Sequence, residues 1–150
     1  MAIKFLCNGM LGKLCKYLRM CGIDTAYSNE GVKAYLEARR EGRIFLTRNS
    51  KLEGKEGVFF LQTEETSLQI KTVIRHFSLK DRLNFFSRCL RCNEPLEAIT
   101  KEEIKGIIPY YTYQNFAEFV RCPRCQRIYW RGSHYEKMLQ ELKGLLELND

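Results

Sequence analysis

No run in this 150-residue chain approaches the roughly 20 apolar residues of a membrane-spanning helix, which excludes a helical membrane protein. The opening Met1-Ala2-Ile3-Lys4-Phe5-Leu6-Cys7 has neither the length nor the shape of a secretory signal, so export is not expected. Low-complexity segments are absent, and nothing repeats except one cysteine pattern. Enough remains for a core: 45% of residues are apolar, sufficient for one domain or two small ones.

Seven cysteines without export point to a reducing cytoplasm. Four of them form two Cys-x-x-Cys pairs, Cys89-Leu90-Arg91-Cys92 and Cys122-Pro123-Arg124-Cys125, separated by 29 residues. Each pair can curl into a knuckle, and four thiolates together close a tetrahedral shell around zinc with no open position. Two disulfides would need an oxidising compartment, and a redox Cys-x-x-Cys usually occurs once, beside a βαβ pattern. Structural zinc on Cys89, Cys92, Cys122 and Cys125 is therefore expected, marking a folded module rather than the chemistry. Cys7, Cys15 and Cys21 fall on core positions and read as small buried hydrophobes.

The first part of the chain alternates strand and helix signals. Ile3–Cys7, Ile23–Tyr27, Arg43–Thr47 and Val58–Leu61 read as strands. Leu11, Leu14, Cys15 and Leu18 mark one helix face, Val32–Glu41 a second helix stopped by Gly42, and Ile70, Val73, Ile74 and Phe77 a third. This order implies an α/β fold with a mostly parallel sheet flanked by helices over residues 1–87. Residues 88–150 read as a zinc ribbon with a C-terminal helix. Its expected strands are Leu96–Thr100, Tyr110–Tyr113 and Arg127–Trp130; Ser133 is the expected cap of a helix bearing Met138, Leu139, Leu142 and Leu146. Residues 1–87 carry 15 Lys+Arg against 9 Asp+Glu, and residues 88–150 carry 10 against 9. Positive charge concentrated in the first part suits a polyanion such as RNA, and equally a solvated basic surface.

Ligands of open parallel sheets collect beyond the carboxyl ends of the strands. Those ends are expected to hold Asn8, the stretch Asp24 to Glu30, and Thr47-Arg48-Asn49-Ser50. A Mg²⁺- or Mn²⁺-dependent nuclease needs several carboxylates there. Asp24 and Glu30 are the obvious acids, with Glu53 near. On spacing alone, Asp24 reads more readily as a turn residue and Glu30 as a helix N-terminal acid than as metal ligands. Lys13, Lys16 and Arg19 lie on or beside the exposed side of the first helix, where they suit phosphate or plain solvent. Arg48 at a strand end is the best single phosphate candidate. Tyr110, Tyr111, Tyr113, Phe116 and Phe119 can stack bases among Arg121, Arg124 and Arg127, though a role in the ribbon core explains them more simply. His134 is expected to be structural near Trp130.

Several of these segments occur together in a recognisable order. Asn8-Gly9-Met10-Leu11-Gly12-Lys13-Leu14, Tyr17-Leu18-Arg19, Gly22-Ile23-Asp24-Thr25 and Glu41-Gly42-Arg43-Ile44-Phe45-Leu46-Thr47-Arg48-Asn49 resemble the Mut7-C family. So do Ser87-Arg88-Cys89-Leu90-Arg91-Cys92-Asn93, Cys122–Cys125 and Tyr129-Trp130-Arg131-Gly132-Ser133-His134. The resemblance implies a PIN-like ribonuclease domain joined to a zinc ribbon. It also implies a metal-dependent site drawn from Asn8, Asp24, Glu30 and Asn49. The family pattern has aspartate where this chain has Asn8 and Asn49, and each amide removes one negative charge from a cation shell. Three functions stay open: an RNA-binding protein with weakened catalysis, an active ribonuclease using Asp24 and Glu30, and a protein–protein adaptor acting through the ribbon. The RNA would be single-stranded or structured.

Overall fold

The run Phe5-Leu6-Cys7 has no polar side to offer to water, so as a strand it must be covered on both faces. The computed structural model describes residues 2–148; Met1, Asn149 and Asp150, at the outer ends of the two expected domains, lie outside the described residues. In it the run forms β1 (Phe5–Asn8), flanked by β2 (Thr25–Ser28) and β3 (Ile44–Thr47), with β4 (Val58–Phe60) beyond. All pairings in this sheet are parallel, in the order β2-β1-β3-β4. Phe5 and Cys7 face a core shared with Leu14 and Leu18 of α1 (Gly12–Met20) and Ile70 and Val73 of α3 (Thr66–His76). Leu6 faces a smaller core on the other side, with Phe45 and with Ala34 and Ala38 of α2 (Val32–Glu41). The two alanines let α2 approach the sheet closely.

The second strand begins two residues later than expected, and the reason is local. At the end of α1 the Gly22 N–H donates to Arg19 O at 2.9 Å and the Ile23 N–H to Leu18 O at 3.0 Å. This paired closure needs a left-handed residue, which Gly22 supplies at φ +82°. Ile23 is thus committed to the helix end. Asp24 becomes the residue before the strand, its carbonyl accepting from Phe5 N.

The remainder forms a three-stranded antiparallel sheet of β5 (Glu97–Ile99), β6 (Phe119–Arg121) and β7 (Ile128–Tyr129). Tyr110–Tyr113, expected as a strand, is helical instead. After α4 (Lys101–Ile104), Pro109 stands at the N-cap of α5 (Tyr110–Asn115), where its missing N–H costs nothing. The middle strand is the apolar Phe119-Val120 segment. Ser133 does not cap the last helix, α6 (Ser133–Leu145): Gly132 is the N-cap and no side chain bonds the first turn. The face of α6 bearing Leu139, Leu142 and Leu146 packs into the core beneath α1 and α3. The hydrophobic core therefore does not divide at residue 88, because the C-terminal helix closes the layer built by the first part. Among the described residues no helix is long and apolar enough to cross a membrane.

Candidate functional site

The carboxyl ends of β1 and β3 lie side by side where the strand order reverses, since β1 leads to β2 on one side and β3 to β4 on the other. A crevice forms at such a switch point. Asn8 closes β1; its side-chain amide donates to Ser28 O at 3.2 Å, and its Oδ1 accepts from the Thr47 hydroxyl at 3.3 Å. The same hydroxyl accepts from Asn49 N at 3.0 Å, and Asn49 Oδ1 caps the following turn by accepting from Lys51 N at 3.0 Å. Asn8 and Asn49 are thus joined through buried Thr47. Glu30 stands two residues beyond β2, exposed and 3.7 Å from Lys33. Glu53, also exposed, follows the turn capped by Asn49. Among the described residues, His, Cys, Asp and Glu side chains gather in threes or more at one place, and it is not here.

Asp24 is not part of this crevice. It precedes β2, whose last residue Ser28 is paired with Asn8. Four residues of strand at about 3.3 Å each put it roughly 13 Å away, at the amino end of the sheet. There its carboxylate accepts from Arg43 at 2.7 Å and from the Asn93 side-chain amide at 2.7 Å. Partial burial raises the Asp24 pKa, but the hydrogen bonds and charge of Arg43, with Asn93 and Arg88, outweigh it and hold the carboxyl below its ordinary value. Asn93 is left-handed at φ +65° and also accepts from Thr25 N at 2.9 Å. Arg19 adds bonds to Thr25 O, Leu90 O and Arg91 O, and Arg88 donates to Gly22 O. This seam fastens the ribbon to the sheet.

Asp24→Asn should cost about 2 kcal/mol, the scale of a partly buried charge-assisted hydrogen bond. A carboxyl with a lowered folded-state pKa contributes stability above its unfolded value, about 3.9, and loses it as pH falls through the folded value. The variant should therefore show a flatter decline below about pH 4 in urea unfolding. An unchanged acid limb would mean that Asp24 is not the seam's titrating member.

The gathered side chains are the four cysteines, whose sulfurs all lie within 4.8 Å of one another. Cys89 and Cys125 Sγ are 3.8 Å apart. Tetrahedral zinc with bonds of about 2.3 Å sets sulfurs about 3.8 Å apart, whereas a disulfide requires about 2.05 Å. The knuckles match: Cys92 N donates to Cys89 Sγ at 3.3 Å and Cys125 N to Cys122 Sγ at 3.5 Å. The residues after each, Asn93 and Gln126, turn left-handed at φ +65° and +64°. The Tyr129 hydroxyl reaches Cys89 Sγ at 3.0 Å. Burial raises the Cys89 pKa, but Tyr129 and the backbone amides of Cys92 and Arg91 bring it down to about 7. Four soft donors in this arrangement fit a closed zinc site.

The basic candidates divide. Arg48 donates from Nη1 to Leu61 O at 3.1 Å and to Gln62 O at 2.7 Å, which tethers the chain after β4. Its Nη1 thereby satisfies backbone acceptors that the strand's end leaves open. Arg19 is consumed by the seam. Arg121 pairs with Glu97 at 3.4 Å and Arg124 with Glu94 at 3.8 Å. Lys13, Lys16 and Arg127 are exposed, with no ion pair among the described residues. Among the aromatics Phe119 is buried against Trp130, Tyr113 lies under Lys101, and Tyr110 and Tyr111 are 72% and 73% exposed. His134 is exposed at the start of α6. Sequence reasoning missed the seam roles of Arg43 and Asn93 and the Tyr129 contact to sulfur. The position of Asn93 directly after a metal-binding pair was the available signal.

A family model described as "Mut7-C RNAse domain" matches residues 3–142. The chain is 34% identical over 103 residues to the human exonuclease mut-7 homolog, an alignment covering 61% of this chain and 12% of that protein. The chain thus spans a small part of the relative's length. No solved structure matches.

Proposed function

This chain belongs to the Mut7-C RNAse domain family, and on that premise we propose that it binds RNA while its metal-dependent cleavage is weakened. The observation that carries the reading is the amide pair at the switch point. Asn8 and Asn49 meet through Thr47 where a divalent cation would need carboxylates. An amide oxygen can touch a cation but supplies no charge, and hard divalent ions select sites by their anionic oxygens. Glu30 and Glu53 are the acids left nearby, both exposed. The positive charge carried by residues 1–87 supports a polyanionic partner. Seven cysteines, none of them in a disulfide, suit a reducing setting such as the cytoplasm.

Binding of a labelled single-stranded RNA, titrated from low to physiological salt, tests the reading. Phosphate contacts release counterions, so log affinity should fall linearly with log salt, by about 0.7 per contact. A second reading, a ribbon that docks a protein partner, draws on exposed Ile107, Tyr110 and Tyr111. RNA affinity that stays negligible or flat with salt would favour it.

A further inference from the structure

We infer that the groove between α1 and the zinc ribbon, and not the crevice at Asn8 and Asn49, is where a single RNA strand is held. This rests on the RNA-binding reading and assigns it a surface. Lys16 of α1 borders adjoining recesses that run from Gly12 and Tyr27, near the carboxyl end of the sheet, to the ribbon. Arg91 of the first knuckle and Arg127 beside the second face the same recesses. All three cations are exposed, and none forms an ion pair among the described residues, whereas Arg121, Arg124 and Arg131 are each paired with a glutamate. Unpaired cations converge from two elements on one channel. The surface complements a phosphodiester chain.

Aromatic rings continue the channel. Tyr129 and Trp130 line its ribbon side. Trp130 is only partly buried, held from one side by Phe119 at a 6.3 Å ring-centroid distance. An indole fixed in place with part of its surface uncovered can take an unstacked base at little entropic cost. Cations with interleaved rings suit a single strand, whose bases are free to splay, better than a duplex. A purely structural alternative exists, in which Arg91 and Arg127 neutralise the negative charge of a tetrathiolate metal centre. It predicts metal loss on their removal; the groove predicts RNA loss with the metal retained.

The test compares a fluorescein-labelled oligouridylate bound to the full chain, to the Lys16→Glu, Arg91→Glu, Arg127→Glu variant and to Trp130→Ala, with zinc content measured for each. The Lys33→Glu, Arg39→Glu, Arg40→Glu variant, on the far helix α2, makes the same change in net charge and is the control. The triple variant should bind at least about thirtyfold more weakly with a shallower salt slope. Trp130→Ala should lose about tenfold with its salt slope unchanged. Both should keep their zinc. If a variant misfolds, photocrosslinking of 4-thiouridine RNA to the unmodified chain should label peptides containing Tyr129 or Trp130. Binding by the unmodified chain that the folded triple variant retains, or crosslinks confined to the Asn8 crevice, would overturn the groove and leave the RNA reading standing. Failure of the unmodified chain to bind RNA would overturn that reading itself, and the groove's occupant with it.

Discussion

Chelating the metal, or replacing Cys122 and Cys125 with serine, is expected to unfold the ribbon and to loosen the sheet to which it is fastened. One zinc per chain should fall to none. Thiolate–zinc binding in small modules is worth about 10–16 kcal/mol at neutral pH. The ribbon's own core, built around Phe119, Val120 and Ile104, is too small to substitute for it. The effect should not stop at the ribbon. Asn93 reaches Asp24 and Thr25 only because the first knuckle turns its backbone left-handed, so losing the knuckle removes those bonds. Amide exchange should show β5, β6 and β7 losing protection first and the β2 end of the parallel sheet following. Acidification should mimic chelation, because protons compete with the ion for the thiolates. Full protection of Phe119–Arg121 after exhaustive chelation, or purified protein without bound metal, would sink this expectation.

The second large effect concerns the crevice. The chain as it stands should cleave single-stranded RNA weakly or not at all in Mn²⁺. Asn8→Asp with Asn49→Asp should raise metal affinity and cleavage together. Aspartate at position 49 keeps the cap on the Ser50–Leu52 turn, since a carboxylate accepts from Lys51 N as the amide does. At position 8 the Thr47 hydroxyl can donate to a carboxylate as well as to an amide oxygen. Asn8→Asp gives up the amide bond to Ser28 O and sets two oxygens against each other there, a repulsion that a bound cation relieves; the other contacts are kept. A net gain of about 1.4 kcal/mol in cation binding after desolvation is tenfold in affinity, and the two acids together should exceed that. Without metal the added like charges repel, so the double variant should melt lower in a chelator than in Mn²⁺. A time course with both proteins, with and without Mn²⁺, decides the matter. Robust cleavage by the unmodified chain would show that Glu30 and its neighbours suffice. No cleavage by the metal-bound double variant would remove the nuclease reading.

What the sequence revealed and what it hid follow a physical division. The cysteine spacing was legible because metal geometry tolerates few alternatives, and the four sulfurs do converge. Continuous apolar runs placed β1, β3 and β4 because nothing else could bury them. Asn8 and Asn49 were legible as neighbours because one ends β1 and the other follows the end of β3, its parallel neighbour. Asp24 was not: it stood near the start of the expected strand and stands just before the observed one, and grouping the whole stretch Asp24 to Glu30 with the carboxyl ends overlooked the length of strand between them. Arg48 looked free because no periodicity reveals that its Nη1 donates to carbonyls 13 and 14 residues along. Tyr110–Tyr113 showed aromatic content without direction, and Pro109 decided for helix. The seam of Arg19, Arg43, Arg88 and Asn93 joins residues up to 72 apart, a separation that local pattern does not carry.

The placement of α6 has a consequence for the order in which the protein can come into being. Leu14, Leu18 and Ile74 share their core with Leu139, Leu142 and Leu146, so the parallel sheet is roofed by a helix that leaves a ribosome well after the strands it covers. Domains whose N-terminal half is self-sufficient can settle during synthesis. This one holds an apolar face open until α6 has emerged, and the four cysteines of the ribbon emerge in the interval. A nascent chain halted before Ser133 would present that face to solvent, open to aggregation and to chaperones.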